Sequence, residues 1–435
     1  MNMHAYRMAV ALLLAGMAVV TAGGRADAMP ADESAVRRDI LYIGTGGIPL
    51  LRDSAGQTEP IAVFSAQIED WTVRSLQAAA FSPDGARVAA AAVLARDGER
   101  DFRILVADLD LRRTETLWRS DEFAPFFLGW APDSQQVAFL AGEQGSGFRL
   151  IIADGSAPEG VLVARGAPLY FDWLADGERI LVHTNGALAL HSAATGEQRS
   201  VVRARPGRFR APDTRPGTDE VTAVISRSDG QSIALIGALG QVETQAAVAT
   251  GGAFAWDPDG RYLAVLNYRL GGRVGGISIV DSQASQRVIR ADADGGNAVP
   301  VRFGGGQVPA QLAERVSFAI QWLPAGTGLI ALSVGEDERR LVWELFRRSE
   351  ERWVAESIAS VRPTPAYLQQ ILPFFDQYAR VGVQGAPDGS AFVYDSLEPG
   401  SGAAIFVYDF ATASARRLGN GVLPSWRPDP TAHLR

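Results

Sequence analysis

The 435-residue chain contains no cysteine and no lysine. The first absence removes disulfides, thiolate metal ligands, a cysteine nucleophile and the cysteine that would carry a lipid anchor. The second makes all 41 basic side chains arginine, which reads as compositional bias. Histidine is scarce, and its four copies are scattered. His4 and His433 lie near the ends, while His183 and His191 sit in strand-like text and read as structural. No G-x-S-x-G elbow occurs, and the turns carry no S-x-D-x-G-x-T-W boxes. Acidic residues outnumber basic ones, for a formal charge of −8, so a nucleic-acid partner is not expected. After the first 30 residues no run is apolar and long enough to span a bilayer.

What is present begins with a leader. Arg7 is followed by the apolar run Met8 to Val20, and Ala26-Asp27-Ala28 offers a cleavage site. This pattern predicts a signal peptide over 1–28, a short linker over 29–38 and a periplasmic or secreted mature chain. Removing the leader moves the charge from −8 to −9.

The body is a repeat. Phe81-Ser82-Pro83-Asp84-Gly85 recurs as Trp130-Ala131-Pro132-Asp133-Ser134, Trp173-Leu174-Ala175-Asp176-Gly177, Trp256-Asp257-Pro258-Asp259-Gly260, Trp322-Leu323-Pro324-Ala325-Gly326 and Trp426-Arg427-Pro428-Asp429. Weaker copies stand at Arg210-Ala211-Pro212-Asp213 and Gly385-Ala386-Pro387-Asp388-Gly389. Proline presets φ, and glycine at the fourth turn position accepts a positive φ, so each phrase predicts a tight hairpin. A short run rich in Val, Ala, Leu and Ile follows most copies, and two more strand-like runs follow that. Four strands per 40–50 residues predict an all-β chain folded as one β-propeller over 39–435. Counting phrases favours eight four-stranded blades, with seven as the alternative.

The last phrase has no strands after it, and Asp39 to Ile43, Ile48 to Arg52 and Pro60 to Phe64 precede the first. Pairing of the two ends would close the ring and remove a free sheet edge. Phe81, Trp130, Trp173, Trp256, Trp322 and Trp426 occupy one repeat position, so packing between blades is expected of them. Each buried ring would contribute on the order of 2–3 kcal/mol.

The phrase and its spacing resemble the TolB-type propeller repeats, which are related to WD repeats. The resemblance covers roughly residues 39 to 430 and implies a bacterial extracytoplasmic propeller that binds partner proteins. In that family the same repeats also precede peptidase domains. This chain departs from TolB itself, because about ten residues between leader and first strand leave no room for a preceding α/β domain.

Strand alternation puts the short Pro-Asp-Gly turns on one face of the ring and the longer segments on the other. The longer segments are Ala95 to Asp101, Gly142 to Gly147, Tyr268 to Gly275, Asp395 to Gly402, Ala291 to Arg315 and Ser357 to Arg380, and binding is expected there. Weak binding candidates are Arg269 and Arg273 in a glycine-rich tip, and Tyr367, Phe374, Phe375 and Tyr378 in the last segment. Thr364-Pro365 is a helix start there, with Leu368, Ile371 and Leu372 at helical spacing. A helix capping the ring over buried aromatics is one reading, and an aromatic patch for a partner the other. Asp292-Ala293-Asp294-Gly295-Gly296-Asn297 has closely spaced oxygen ligands but lacks the remaining acid of a calcium loop. No metal site, cofactor or catalytic residue is assigned. The favoured function is a non-catalytic, monomeric propeller that binds a protein or glycan through its long-loop face. The alternative is a hydrolase or lyase using carboxylates at the central channel, with Ca²⁺.

Overall fold

A computed structural model describes residues 39–429 except 144–146, 168, 185–186, 202–204, 207–210, 228–229, 238–241, 249–252, 269–273, 283–286, 290–300, 304–316, 325, 336–339, 350–351, 373–374 and 379–380. The leader and linker of the sequence reading, and the Asp292 to Asn297 run, lie outside the described residues.

The turns form as their residues dictate. The amides of Gly85, Ser134, Gly177, Gly260, Gly326 and Gly389 each donate to the carbonyl three residues back. All six have φ between 62 and 69°. The Asp side chain holds the turn, since Asp84, Asp133, Asp176 and Asp388 each accept from the amide two residues on. One phrase is displaced from its expected place. Its turn is not Arg210 to Asp213 but Arg215-Pro216-Gly217-Thr218, closed by Thr218 N–H to Arg215 O at 3.2 Å. Pro216 and Gly217, at φ 70°, supply what the turn needs, and Asp213–Thr214 is instead a strand paired to Val221 and Thr222.

Each turn joins the inner strand of a blade to the next strand outward. Blade one comprises Gln67–Ile68, Trp71–Phe81, Arg87–Arg96, Glu99–Asp108 and Arg113–Ser120. Blade two is Ala124–Trp130, Val137–Glu143, Gly147–Ala153 and Val161–Gly166, and blade three is Leu169–Trp173, Arg179–Thr184, Leu188–Ser192 and Gln198–Val201. Blade four is Arg205–Pro206 and Asp213–Thr214 beside Val221–Arg227, then Gly230–Ile236 and Val242–Val248. Blade five is Ala253–Trp256, Tyr262–Tyr268 and Val274–Asp281, with the pair Arg287–Ile289 and Val301–Phe303 near its outer strand. Blade six is Ser317–Trp322, Leu329–Val334, Leu341–Ser349 and Arg352–Val361. Blade seven is Ala391–Glu398, Gly402–Asp409 and Ser414–Asn420, with a bridge from Gly385 to Phe392 in place of a regular inner strand.

The favoured count of eight four-stranded blades is therefore corrected. Seven blades are cut from continuous chain, the count held as the alternative, and blades five and seven have three strands among the described residues. The ring is closed by a composite sheet of Val422–Trp426 with Asp39–Ile43, Pro49–Asp53 and Ile61–Ala62. Ile40 faces Trp426 across it. Arg427 seals the joint, its amide bonded to Asp39 O at 2.9 Å and its guanidinium to the Asp39 carboxylate at 3.0 Å.

Apolar clusters fill the interfaces in turn, from the closing sheet against blade one, through blades two and three, to blades five, six and seven. The repeat aromatics sit in these interfaces, all between 3 and 8 % exposed. Three of the indoles staple blade to blade. Trp130, Trp173 and Trp322 donate Nε1–H to the carbonyls of Ala80, Gly129 and Ala255, the residues just before Phe81, Trp130 and Trp256. Trp256 donates instead to Thr222 Oγ1 at 2.8 Å, and Trp426 Nε1 is buried without a hydrogen-bond partner.

Candidate binding face and axial insertion

Turn contacts leave the Pro-Asp-Gly face little freedom. A Cβ on Gly85 would lie 2.8 Å from Pro428 O, and one on Gly260 2.6 Å from Pro216 O, so each turn rests on that of the preceding sheet. Asp84 N–H reaches Ser134 Oγ in the next blade, and Arg215 Nε reaches Gly260 O. This face is committed to holding the ring.

The opposite face carries the hairpins and the crossovers. Of the segments expected as long loops, Ala95 to Asp101 and Asp395 to Gly402 are largely strand. Arg96 pairs with Glu99 and Glu398 with Gly402, so the hairpins of blades one and seven are overhanging ladders with tight tips. Blade one has the longer strands of the first two blades: its three central strands run 10 or 11 residues, against 6 or 7 in blade two. The residues at that tip are mostly charged, yet Ala95 pairs with Arg100 and Arg96 with Glu99, so the ladder runs to the tip.

The last crossover starts after Val361 rather than at Ser357, because blade six's outer strand runs to Val361. Thr364 caps the helical start: its Oγ1 accepts from Tyr367 N–H at 3.2 Å. Helical residues from Pro365 run into the π-helical turn Tyr367–Ile371, and the short helix Phe375–Tyr378 follows. The segment then crosses the ring. Gln377 Oε1 accepts from Phe171 N–H, its Nε2–H donates to Phe171 O, and Asp376 Oδ2 accepts from Ala211 N–H. These bonds reach the inner side of blades three and four from a segment rooted in blade six. On its return, Gly382 O and Gln384 N–H bond to the Gln321 amide of blade six, and Val383 O accepts from Trp426 N–H. The insertion is an axial tie across the propeller.

Asp395 anchors its start. The carboxylate is 5 % exposed and accepts from Thr364 Oγ1–H and Leu423 N–H, both at 3.0 Å. Burial raises its pKa above the ordinary carboxylate range, and the two donors oppose that only in part. A cavity of about 60 Å³ adjoins it, lined by Gln321, Trp343, Tyr367 and Gln384 among others. Asp172 and Asp213 of neighbouring inner strands are likewise occupied, accepting from the Thr214 and Trp256 amides. Among the described residues, no group of three or more His, Cys, Asp or Glu is placed to hold a metal ion.

The sequence-predicted binding residues fall in different places. Tyr367 is 7 % exposed, its ring edge-on to Trp343 at 6.2 Å, and so belongs to the core beneath the insertion. Phe375 and Tyr378 begin and end the short helix. Phe374, Arg269 and Arg273 lie outside the described residues. His183 is buried in blade three beside Tyr170, and His191 Nδ1 lies 3.0 Å from Gly196 O. The sequence reading missed Gln321, Asp376, Gln377 and Asp395. For Asp395 a signal existed, as an acid set in the mostly apolar stretch Ala391 to Leu397; for the others none did.

A second concave region sits at the overhang of blade one. It has a volume of about 390 Å³ and is lined by Asp70, Thr72, Arg74, Ala95 to Gly98, Glu99 and Arg100. Arg96 stacks over Trp71 at 4.5 Å and pairs with Asp70. Behind it Arg103, 1 % exposed, is neutralised by Asp101 at 2.8 Å and by Glu69.

No family model and no curated protein matches the chain. Solved structures do. One described as a eukaryotic initiation factor aligns over 91 % of this chain and all of its own at TM-score 0.55 and 12 % identity. TolB from Acinetobacter baumannii aligns over 79 % of this chain and 83 % of its own at 0.38 and 14 %. The β-propeller domain of the Trilobed protease from Pyrococcus furiosus aligns over 84 % and 98 % at 0.43 and 12 %. At these identities the likeness speaks to fold alone. No helix among the described residues is long and apolar enough to cross a membrane.

Proposed function

We propose that this chain is an exported, non-catalytic, TolB-like propeller that presents its hairpin and crossover face to a protein or glycan. The observation that carries the reading is the axial tie. Asp376 and Gln377 spend their polar groups on the inner backbone of blades three and four, and the inner carboxylates of Asp172 and Asp213 are held by amides. A hydrolase or lyase working on the axis would need carboxylates free to exchange protons or bind Ca²⁺, and these four side chains serve the scaffold. The turn face is equally committed, which leaves the overhanging hairpins and the crossovers. The leader over 1–28 supplies the export route, and the acidic body disfavours nucleic acid.

The absence of cysteine makes the test clean. Single cysteines are introduced at Leu368, 42 % exposed on the insertion, and at Leu111, 74 % exposed on the turn face. Each is labelled with a maleimide photo-crosslinker and irradiated in an envelope extract. Cross-linked macromolecules are expected from the Leu368 position and not from Leu111. Cross-links from Leu111 alone, or from neither, would overturn the proposal.

A further inference from the structure

The cavity beside the axial insertion holds an acid and no base. Its walls come from the insertion, blades six and seven and the closing strand, and neither arginine nor histidine is among them. Asp395 lines it and is 5 % exposed. The bonds from Thr364 Oγ1–H and Leu423 N–H both land on Oδ2. Apart from its own amide, no described residue donates to Oδ1, and among the described residues the carboxylate has no ion-pair partner. The oxygen left over is therefore the one Asp395 can offer the cavity. Gln384 adds a second open acceptor: its Nε2–H donates to Val393 O, while its Oε1 takes no bond from a described residue. Trp343 and Tyr367 bring two aromatic rings to the wall, edge-on at 6.2 Å.

We propose that this cavity binds a small primary ammonium ion, ammonium or methylammonium, between the Asp395 carboxylate and the rings of Trp343 and Tyr367, an occupancy independent of the binding role proposed above. A buried carboxylate is costly unless a counter-charge accompanies it. Burial raises the pKa of Asp395; a cation at Oδ1 offsets that cost, as the two donors at Oδ2 do in part. The lining suits ammonium better than a metal ion. Calcium takes about six to eight oxygens, and no group of three or more His, Cys, Asp or Glu converges among the described residues. Aromatic rings, by contrast, attract an ammonium group. Size sets the upper limit. The volume of about 60 Å³ is roughly twice the share of one water in the liquid, so a methyl group is the most the nitrogen can carry. The chain has no lysine, so it cannot fill the site with a primary ammonium side chain of its own.

The probe is methylammonium chloride, read by saturation-transfer NMR from the mature chain to the methyl protons. The buffer is amine-free, at about pH 8 where the probe keeps its proton, with ionic strength held by sodium chloride. Saturation transfer is expected that ammonium chloride competes away and the bulkier tetramethylammonium does not. Asp395→Asn keeps a hydrogen-bond acceptor and should weaken binding by about tenfold or more. Ala319→Leu fills the cavity while leaving the carboxylate, and should abolish binding. Asp97→Asn removes a charge from the exposed tip of blade one and is expected to bind as the parent does. Absence of transfer in the parent would mean that the cavity takes water alone, and would overturn the inference. Undiminished binding by Asp395→Asn or Ala319→Leu, or competition by tetramethylammonium equal to that of ammonium, would do the same. Binding of Nα-acetyl-lysine amide more tightly than methylammonium would place a lysine of another chain in the site and overturn the assignment to a free ion.

Discussion

Asp395→Ala removes the acceptor that ties the axial insertion to blade seven and the closing strand. Two donors, Thr364 Oγ1–H and Leu423 N–H, lose their partner at once. A buried donor left unsatisfied costs about 1–3 kcal/mol. The cavity of about 60 Å³ alongside can admit water to one of them, so the expected loss is about 3 kcal/mol in all. Asp395→Asn keeps an acceptor and discards the charge, and its cost should stay below about 1 kcal/mol near neutral pH. The two variants also separate with pH. Burial raises the folded-state pKa of Asp395 above its unfolded value. A carboxyl shifted that way contributes stability below the unfolded pKa, about 3.9, and loses it as pH rises through the folded value. The parent should therefore fall relative to Asp395→Asn between about pH 4 and the raised pKa, and run parallel above it. Carboxylates with lowered pKa, such as Asp53, Asp154 and Asp176, titrate alike in both proteins and cancel. Urea midpoints measured from pH 4 to 8 supply the comparison. Parallel profiles throughout, or a loss under about 1 kcal/mol for Asp395→Ala, would refute this account of the anchor.

The indole staples predict unequal costs for one substitution. Trp173→Phe breaks the indole bond to Gly129 O and should cost about 0.5–1.5 kcal/mol beyond the lost ring area; Trp426→Phe breaks no hydrogen bond, because that Nε1 has no partner, and its urea midpoint should shift less. Gly260→Ala should be worse than Gly47→Ala: both have φ near 70°, but only the Gly260 Cβ meets a carbonyl, at 2.6 Å, while the Gly47 Cβ meets nothing within 4 Å. About 1–2 kcal/mol of left-handed strain is common to the two, so thermal unfolding reads the clash as the difference. Gln377→Ala breaks both bonds to Phe171, and amide exchange at Phe171 should accelerate while exchange in blade one stays unchanged.

Local chemistry made the turns and the closure legible in the sequence. Proline, aspartate and glycine act within four residues, so the phrase could be read as a hairpin wherever it was intact. Where it was degenerate, at Arg210 to Asp213, the reading slid to the wrong Pro, because Arg215-Pro216-Gly217 lacks the aspartate that marks the other copies. The overhangs were misjudged as loops for a related reason. Charged residues such as Arg96, Glu99 and Arg100 look like loop text, yet they pair in register because the hairpin beneath them is rigid. The axial tie was not legible. Gln377 and Phe171 are 206 positions apart, and nothing local in either residue announces a partner across the ring.

The two faces differ in how freely they can change, and that follows from where their bonds go. A turn residue such as Gly85 or Arg215 is bonded or packed to the neighbouring blade, so altering it disturbs two interfaces. A tip residue such as Arg100 answers only to its own ladder, through its pairing with Ala95. Substitution at the tips should therefore leave ring stability within about 0.5 kcal/mol while moving any affinity that resides there. The axial tie widens this separation, since cross-bracing by Asp376 and Gln377 holds the inner strands without help from the hairpins. The hairpin tips of blade one can thus vary at little cost to closure at Trp426.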